Sequence, residues 1–397
     1  MAMLKIETPL LRLFTYFYLL LGAQISRPHL WPLRPVRLLL LCWRLSVTIF
    51  LVYGLYTLDC LKLQSIVRTC TSPSKQPLFY SFVLAGTKYT YPALFVFKFA
   101  YFTAYGRQLV LLLDGPCFRR VYCSGGGHLN CWTVAVFSTY LIVPHLFFMW
   151  ALSDRFRQTD YQLTTSKLLE YFCLYMVFNY LYWMCIVMHY AQNGIRQLLE
   201  ALKERLVAIE KKEAVAWSRQ FQLENETIEE IKQLALTNHR LNCLLNAPLL
   251  ATILLNVFNI ILVFSLAFIC QPYFRPIVHM LFAYGYTKYL IWCNERVRVV
   301  VRQTMFILKA RNEWKENRIV QFMNKQSQFG TNEQMERLKG LRSLIQSRRI
   351  RLYEMALYER LFAVKVFRIF RLDYHFVLHT GLFIVSLVVF FYQTIMN

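Results

Sequence analysis

The side chains best placed for chemistry lie in the uncharged stretch Tyr374–Met396, near the end of the sequence. Ser386 and Gln393 are seven positions apart, about two turns of an α-helix, so a helix presents both on one face. Val389 and Phe390 fall on the same side. Several copies of such a helix around an axis form a ring of glutamine amides, which offers oxygen ligands to a partly hydrated cation, and an apolar ring that closes the path by excluding water. The alternative is a buried glutamine that hydrogen-bonds to a neighbouring helix.

A second group of candidates is a row of aromatic side chains, together with one lysine. The aromatic side chains follow each other at helical spacing and therefore share one face: Tyr171, Tyr175, Phe178 and Tyr182. They line either a pocket for an aromatic ligand or a packed helix interface. Lys88 lies within another apolar segment, where a charged group usually faces the protein interior or a water-filled cavity. These residues are our candidates for a ligand pocket.

The sequence contains little that resembles an enzyme or a metal centre. His375 and His379 are one helical turn apart, a spacing that lets two imidazoles reach one metal ion. Apart from Asp373, no third ligand has a fixed position nearby, and an ordinary polar helix start is the preferred interpretation. No nucleophile elbow, metal-hydrolase motif or nucleotide-binding loop is present in the sequence. We therefore expect no enzyme activity, no cofactor and no bound metal.

The elements that carry these residues are long apolar segments. With 57% apolar and 17% charged residues, the composition excludes an ordinary soluble globular chain. A membrane-spanning helix needs roughly 20 apolar residues, and we identify seven such segments: 38–58, 78–102, 131–152, 168–190, 244–270, 277–293 and Tyr374–Met396. The sequence thus predicts an all-α, polytopic membrane protein with seven transmembrane helices.

The distribution of positive charge sets the predicted orientation. A net charge of +23 suits nucleic acid as well as a membrane, but its placement favours the membrane. With a cytoplasmic N-terminus, the inside segments carry 34 Lys and Arg and the outside segments carry 7, which agrees with the positive-inside rule. Seven spans then place the C-terminus outside the cell.

Three regions follow from this arrangement. Residues 1–293 form a six-helix membrane bundle that contains the ligand-pocket candidates. Within it, 191–243 form a cytoplasmic helical extension in which leucines recur at helical spacing: Leu198, Leu199, Leu202 and Leu206. Residues 294–373, with 18 Lys and Arg against 8 Asp and Glu, form a basic cytoplasmic segment of helical character with one glycine-centred break near 329–331. Residues 374–397 form the terminal helix.

In length, number of spans, cytoplasmic N-terminus and long loop before the last span, the chain resembles the insect gustatory receptor family, as a divergent member. The most specific mark of that family is a Thr-Tyr pair followed by a Gln-Phe pair near the end of the last helix. The matching positions here are Ser386-Leu387 and Gln393-Thr394. The glutamine is kept, serine replaces threonine conservatively, and the other two positions differ. The preceding stretch 367–373 is similar to the family's aromatic approach to this helix, without its glycine.

The resemblance implies how the regions work together. Members of this family are tetrameric ligand-gated cation channels, in which the last helix of each subunit lines the pore. It therefore implies that Gln393 forms the outer pore ring and that Phe390 forms the apolar constriction. It also implies that 294–373 are the anchor helices between subunits, whose positive charge suits anionic lipid as well.

We therefore expect a gustatory receptor that acts as a non-selective cation channel gated by a small tastant of the bitter type. It would lie in the plasma membrane of sensory neurons, in the dendrite, axon and cell body. Its expected partners are the tastant, membrane lipid and related subunits in a homo- or heterotetramer, without nucleic acid. Two alternatives stay open: an odorant receptor subunit of the same architecture, whose last helix typically lacks the full mark, and a G-protein-coupled receptor.

Overall fold

The computed structural model shows a chain whose described residues are almost entirely helical, which confirms the predicted all-α class. The structure describes residues 34–56, 91–123, 165–210, 217–269, 274–326, 331–366 and 370–396, together with single residues such as Thr8, Leu11 and Tyr89. The side chains of some helical residues, 165–185 among them, lie outside this description.

The described residues form a series of α-helices. In chain order they are α1 (Arg34–Tyr56), α2 (Tyr91–Leu113), α3 (Pro116–Tyr122), α4 (Thr165–Glu210), α5 (Trp217–Ile269), α6 (Phe274–Gln326), α7 (Asn332–Glu359) and α8 (Tyr374–Met396). A 3₁₀ turn (Arg360–Phe362) and the strands β1 (Lys365–Val366) and β2 (Phe370–Arg371) lie between α7 and α8. Within the described ranges, no helix combines the length and the apolarity that a membrane crossing requires.

Three of these helices are far longer than the apolar segments that they contain. Helices α4, α5 and α6 are 46, 53 and 53 residues long, and each joins a predicted span to a predicted polar segment. In α4 this continuation buries Leu199, Leu202 and Leu206, because their spacing places them on one packed face. The predicted break near 329–331 is consistent with the separation of α6, which ends at Gln326, from α7, which begins at Asn332.

Two compact units divide the chain. The first comprises Met1–Ala191, Leu244–Trp292 and Lys365–Asn397, and the second comprises Gln192–Cys243 and Cys293–Val364. The second unit has a core of inward helix faces, whose buried positions recur every three or four residues. On α5 these are Ile228, Ile231 and Ala235; on α6 they are Val297, Val301 and Leu308; on α7 they are Ile345, Leu352 and Met355.

In the first unit, helix α2 ends later than the predicted span 78–102. Leu109, Val110 and Leu113 are completely buried, so the packed face of the helix continues past the apolar window that defined the span. The helix stops before Gly115, where an added Cβ atom would lie 2.9 Å from the carbonyl oxygen of Leu112. A side chain larger than hydrogen therefore does not fit this turn without a shift of the backbone.

Helices α1 and α2 pack against each other through a buried arginine. Arg44 is only 5% exposed, and its Nη2 donates a hydrogen bond of 3.3 Å to the carbonyl oxygen of Phe99. The guanidinium carbon also lies 5.1 Å from the centre of the Phe99 ring, within the range of a cation–π contact. This arginine therefore joins two helices of the first unit through one residue of α2.

A short hairpin precedes α8, whereas the sequence predicted helical character throughout 294–373. Strand β1 pairs antiparallel with β2, with Lys365 opposite Arg371 and Val366 opposite Phe370. Strands of two residues are too short to show the alternating pattern by which a strand is identified in a sequence. Packing holds this connection, since Val366 and Leu372 are 1% and 5% exposed.

Candidate functional site

Helix α8 begins at Tyr374, directly after Asp373, where the sequence predicts the start of the uncharged helix. Oδ1 of Asp373 accepts a hydrogen bond of 3.0 Å from the backbone N–H of Phe376, three residues further on. This is the geometry of an N-cap, which satisfies one of the free N–H groups in the first turn. The last charged residue of the sequence thus also fixes the start of the helix.

The predicted pore residues lie together on one face of α8. Ser386 and Gln393 are exposed in this chain, and Val389 and Phe390 are 47% and 59% exposed. The hydroxyl of Ser386 donates a hydrogen bond of 2.9 Å to the carbonyl oxygen of Leu382 in the same helix. We call these four residues the polar stripe, although its middle is apolar.

The polar stripe lies at the centre of the exposed side of α8. On either side of it, apolar side chains are between 56% and 60% exposed: Leu378, Leu382, Phe383 and Val385. At about 100° per residue, the arc from Val385 to Phe383 covers roughly 160° of the helix surface and Ile384 points to the opposite side. Ile384 is 6% exposed. Helix α8 therefore packs within its own chain on the Ile384 side and leaves the polar stripe uncovered.

The predicted ligand-pocket residues are placed less fully. Helix α4 contains the four aromatic positions that we singled out, so their helical register agrees with the structure: Tyr171, Tyr175, Phe178 and Tyr182. Their side chains lie outside the described part, and Lys88 lies outside the described residues altogether. The pocket therefore stays a prediction.

The histidines at the start of α8 are both exposed, His375 and His379. In the described part of the chain, no group of three or more His, Cys, Asp or Glu side chains is arranged to hold a metal ion. Asp373, the third side chain nearby, is engaged as the N-cap.

A further polar arrangement, in the second unit, is one that sequence reasoning missed. Glu224 of α5 faces three cations from two other helices. Its Oε1 and Oε2 lie 3.2 Å and 3.0 Å from Nζ of Lys315, and its Oε1 lies 3.7 Å from Nη1 of Arg311. Nη2 of Arg348, from α7, contacts Oε2. We call these four residues the Glu224 cluster.

Burial makes this cluster energetically important. Glu224, Lys315 and Arg348 are between 1% and 3% exposed. The ring of Phe221 covers two of the cations, with its centre 4.3 Å from Nζ of Lys315 and 5.1 Å from Cζ of Arg348. Burial lowers the pKa of Lys315, and the attraction of Glu224 offsets part of that effect. One carboxylate thus holds three cations in a region of low dielectric constant.

A signal for the cluster is present in the sequence, although each helix gives it separately. Glu224 stands four positions before buried Ile228, Lys315 four before buried Ile319, and Arg348 four before buried Leu352, so each charge occupies an inward position of its helix. A charge on an apolar face indicates a buried partner. The identity of that partner needs the fold, because Lys315 and Glu224 are 91 positions apart.

Asparagine side chains hold the chain after α7, again within the second unit. Nδ2 of Asn238 donates a hydrogen bond of 2.8 Å to the carbonyl oxygen of Leu361, and Nδ2 of Asn242 donates one of 3.4 Å to the carbonyl oxygen of Ala363. Oδ1 of Asn294 accepts a hydrogen bond of 3.4 Å from the backbone N–H of Val364. We call these three asparagines the asparagine clamp. It fixes the last residues before the hairpin, where no regular backbone ladder satisfies these groups.

A small cavity of about 160 Å³ lies between α6 and α7 in the second unit, lined by Lys309, Asn312, Glu313, Arg349, Leu352 and Tyr353. Its walls carry both signs of charge. Its lining comes from α6 and α7, which also carry residues of the Glu224 cluster. It contains none of the residues that the sequence analysis singled out.

The chain was compared with known proteins, and neither a protein-family model nor a curated protein matches it.

Proposed function

We propose that the chain is a subunit of a ligand-gated cation channel of the gustatory receptor type, with low selectivity among small cations. One observation carries the proposal: the polar stripe of α8 lies at the centre of an exposed arc, opposite the buried side of that helix at Ile384. Soluble monomeric proteins rarely leave a contiguous, largely apolar surface of this kind exposed to water. Lipid and neighbouring copies of α8 are the surroundings that suit it.

In the proposed assembly, four copies of α8 stand around an axis with their polar stripes inward. Gln393 then forms a ring of amides that replaces part of the hydration of a passing cation, without a fixed charge and hence with weak selectivity. Phe390, one turn closer to the cytoplasm, forms the apolar ring. When that ring is narrow it excludes water, and when it widens the path conducts.

The membrane part of the proposal comes from the sequence. The seven apolar segments and the excess of 34 over 7 Lys and Arg on the cytoplasmic side favour seven spans with the N-terminus inside. A small tastant would bind among the spans, with Lys88, Tyr175 and Tyr182 as the first residues to test. The short outside segments suit a small amphipathic molecule, and a bitter compound is our preferred class.

A second function of the same architecture is an odorant receptor subunit. It is favoured by Leu387 and Thr394, which differ from the gustatory mark. Both functions use α8 as the pore helix. Recording from cells that express this chain alone, and with related subunits, against panels of tastants and of volatile compounds distinguishes the two.

The pore assignment is tested by changing the amide of Gln393. We expect Gln393→Glu to raise the permeability to divalent relative to monovalent cations, and Gln393→Lys to suppress cation current, because each places a ring of charge in the path. Gln393→Asn keeps the amide and is the matched control, with selectivity close to that of the unmodified protein. Patch recording with surface labelling measures both current and delivery to the membrane. Unchanged permeation in the Glu and Lys variants, at normal surface level, would refute the pore role.

Topology is tested separately by glycosylation. The sequence contains the acceptor Asn225-Glu226-Thr227 in a segment that the proposal places in the cytoplasm. We expect no sugar on Asn225, and we expect a sequon added before residue 8 to stay unmodified as well. Sugar at either place would contradict the channel topology and favour the G-protein-coupled alternative.

A further inference from the structure

The cavity between α6 and α7 has a buried floor and an exposed rim, all within the second unit. Its floor is formed by Asn312 and Leu352, which are 2% and 3% exposed. The rim is formed by two exposed residues of α6 and two of α7: Lys309, Glu313, Arg349 and Tyr353. On each helix the two rim residues are four positions apart and therefore share one face. The cavity is thus a small polar recess that solvent can enter.

The floor carries a hydrogen-bond acceptor that the chain leaves unused. Nδ2 of Asn312 donates a hydrogen bond of 3.5 Å to the carbonyl oxygen of Ile345. Oδ1 of the same amide is buried and accepts no hydrogen bond within the described part of the chain. A buried acceptor without a partner is unfavourable and rare in folded proteins. The floor therefore favours a ligand that brings a hydrogen-bond donor.

The rim carries both signs of charge, which narrows the class of ligand. A simple anion would suit Lys309 and Arg349, but it would be repelled by Glu313 and would bring no donor to Asn312. A simple cation would leave the two basic side chains unused. Oε2 of Glu316 lies 3.9 Å from Nη1 of Arg349, so most of the five N–H donors of this guanidinium stay available to another acceptor. Only a ligand that carries both an ammonium group and an anionic group uses the whole lining.

The volume of the cavity limits the size of that ligand. An engineered protein cavity of about 150 Å³ accepts benzene, and the cavity here measures about 160 Å³. A small amino acid such as alanine has about as many non-hydrogen atoms as benzene. We propose that the cavity binds a small α-amino acid with an uncharged side chain, as its zwitterion.

Each part of the zwitterion has a partner in the lining. The ammonium group donates hydrogen bonds to Oδ1 of Asn312 and to the carboxylate of Glu313. The carboxylate of the ligand accepts hydrogen bonds from Lys309 and Arg349, and charge-assisted hydrogen bonds of this kind are the stronger ones. The apolar side chain of the ligand packs against Leu352.

Occupancy has a structural consequence for the second unit. The ligand contacts both α6 and α7, so binding joins the two helices and stabilises the folded form by mass action. In the proposed topology this segment is cytoplasmic, and the ligand is then an intracellular amino acid, distinct from the tastant that binds among the spans. The binding itself does not rest on the proposed channel activity.

The test is isothermal titration calorimetry of the purified full-length chain with L-alanine, propionate and ethylamine. Propionate lacks the ammonium group of alanine and ethylamine lacks its carboxylate, so the two analogues match alanine except for one charge. We expect saturable binding of L-alanine with a dissociation constant below roughly 1 mM. Each analogue should bind at least about tenfold more weakly, because it loses the charge-assisted hydrogen bonds of one group.

Variants of the rim connect the binding to the cavity. Glu313→Gln and Arg349→Gln should each weaken the binding of L-alanine about tenfold, and because both positions are exposed their melting temperatures should stay close to that of the unmodified protein. Arg351→Gln is the matched control, since Arg351 is an exposed arginine of α7 outside the cavity lining, and this variant should bind like the unmodified protein.

Three results would overturn the proposal: no binding of L-alanine, equally tight binding of propionate or ethylamine, or unchanged binding in both folded rim variants. None of these results bears on the proposed pore, which depends on α8 and is measured by permeation.

Discussion

The Glu224 cluster gives the sharpest prediction about stability. We expect Glu224→Gln to destabilise the second unit strongly, because the change keeps the shape of the side chain but removes the negative charge. Lys315 loses an ion pair with contacts of 3.0 Å and 3.2 Å, and Arg348 and Arg311 lose the same partner. Three cations would then face one another around a neutral amide.

The magnitude follows from the burial of the partners. Removal of one member of a buried ion pair costs about 3–5 kcal/mol, because the remaining charge is left uncompensated. Glu224 and Lys315 are 1% and 2% exposed, so solvent screening gives little relief. Loss of the Lys315 proton limits the cost, since burial already lowers the pKa of that amine. A loss of about 4 kcal/mol lowers the melting temperature on the order of 10 °C for a unit of this size.

Thermal melting of the purified full-length chain, followed by circular dichroism of the helices, measures this change. Glu333→Gln is the matched control, because Glu333 pairs with Arg337 at 2.8 Å with both side chains more than three-quarters exposed. Surface pairs of this kind contribute little, so this variant should melt like the unmodified protein. A double variant, Glu224→Gln with Lys315→Met, should lose less than the two single variants together, since it leaves one fewer buried cation.

If Glu224→Gln melts within about 1 °C of the unmodified protein, a shift of that size corresponds to well under 1 kcal/mol. The reasoning would then be refuted, because a carboxylate that neutralises three buried cations cannot be removed at so small a cost.

Two further predictions concern the same unit. Because burial lowers the pKa of Lys315, the unfolded chain binds this proton more tightly, so stability should rise with pH between the lowered pKa and the ordinary value for lysine. Denaturant unfolding at several pH values should show this rise and its loss in Lys315→Met; an unchanged slope would contradict it. Asn238→Ala should reduce stability by about 1–3 kcal/mol, because Asn238 is completely buried and both Leu361 and Gln192 lose a partner. Thr237→Ala, beside it, removes only a bond within the helix and serves as the control, and equal midpoints for the two variants would count against the clamp.

The sequence predicts the helices well where one helix alone contains the signal. Helix α8 coincides with the uncharged stretch. Its start is fixed because Asp373 is both the last charged residue and the N-cap. The leucines at 199, 202 and 206 are buried as their spacing requires. The end of α2 was predicted less well, because a hydropathy window finds apolar segments, whereas the helix continues for as long as one face is packed.

Features that depend on pairing between distant parts of the chain could not be predicted. Glu224, Lys315 and Arg348 each appear in the sequence as a charge on a helix face. Only the fold shows that Lys315 and Arg348 share Glu224 as their partner. The hairpin before α8 was not predicted, because two residues in each strand are too few to form a pattern.

The two units stabilise their helices by different interactions, and this bears on function. In the second unit the helices are specified by polar contacts, the Glu224 cluster and the asparagine clamp, which tolerate only one relative arrangement because any shift leaves buried charges and carbonyl groups without partners. Helix α8 is fixed at its start by the Asp373 cap and by buried Leu372, whereas its polar stripe is exposed. The proposed channel needs both properties: a segment whose geometry is uniquely set, and a helix whose polar stripe is exposed to neighbouring copies. This division explains why the conservative change Gln393→Asn should leave folding intact, while the equally conservative Glu224→Gln should not.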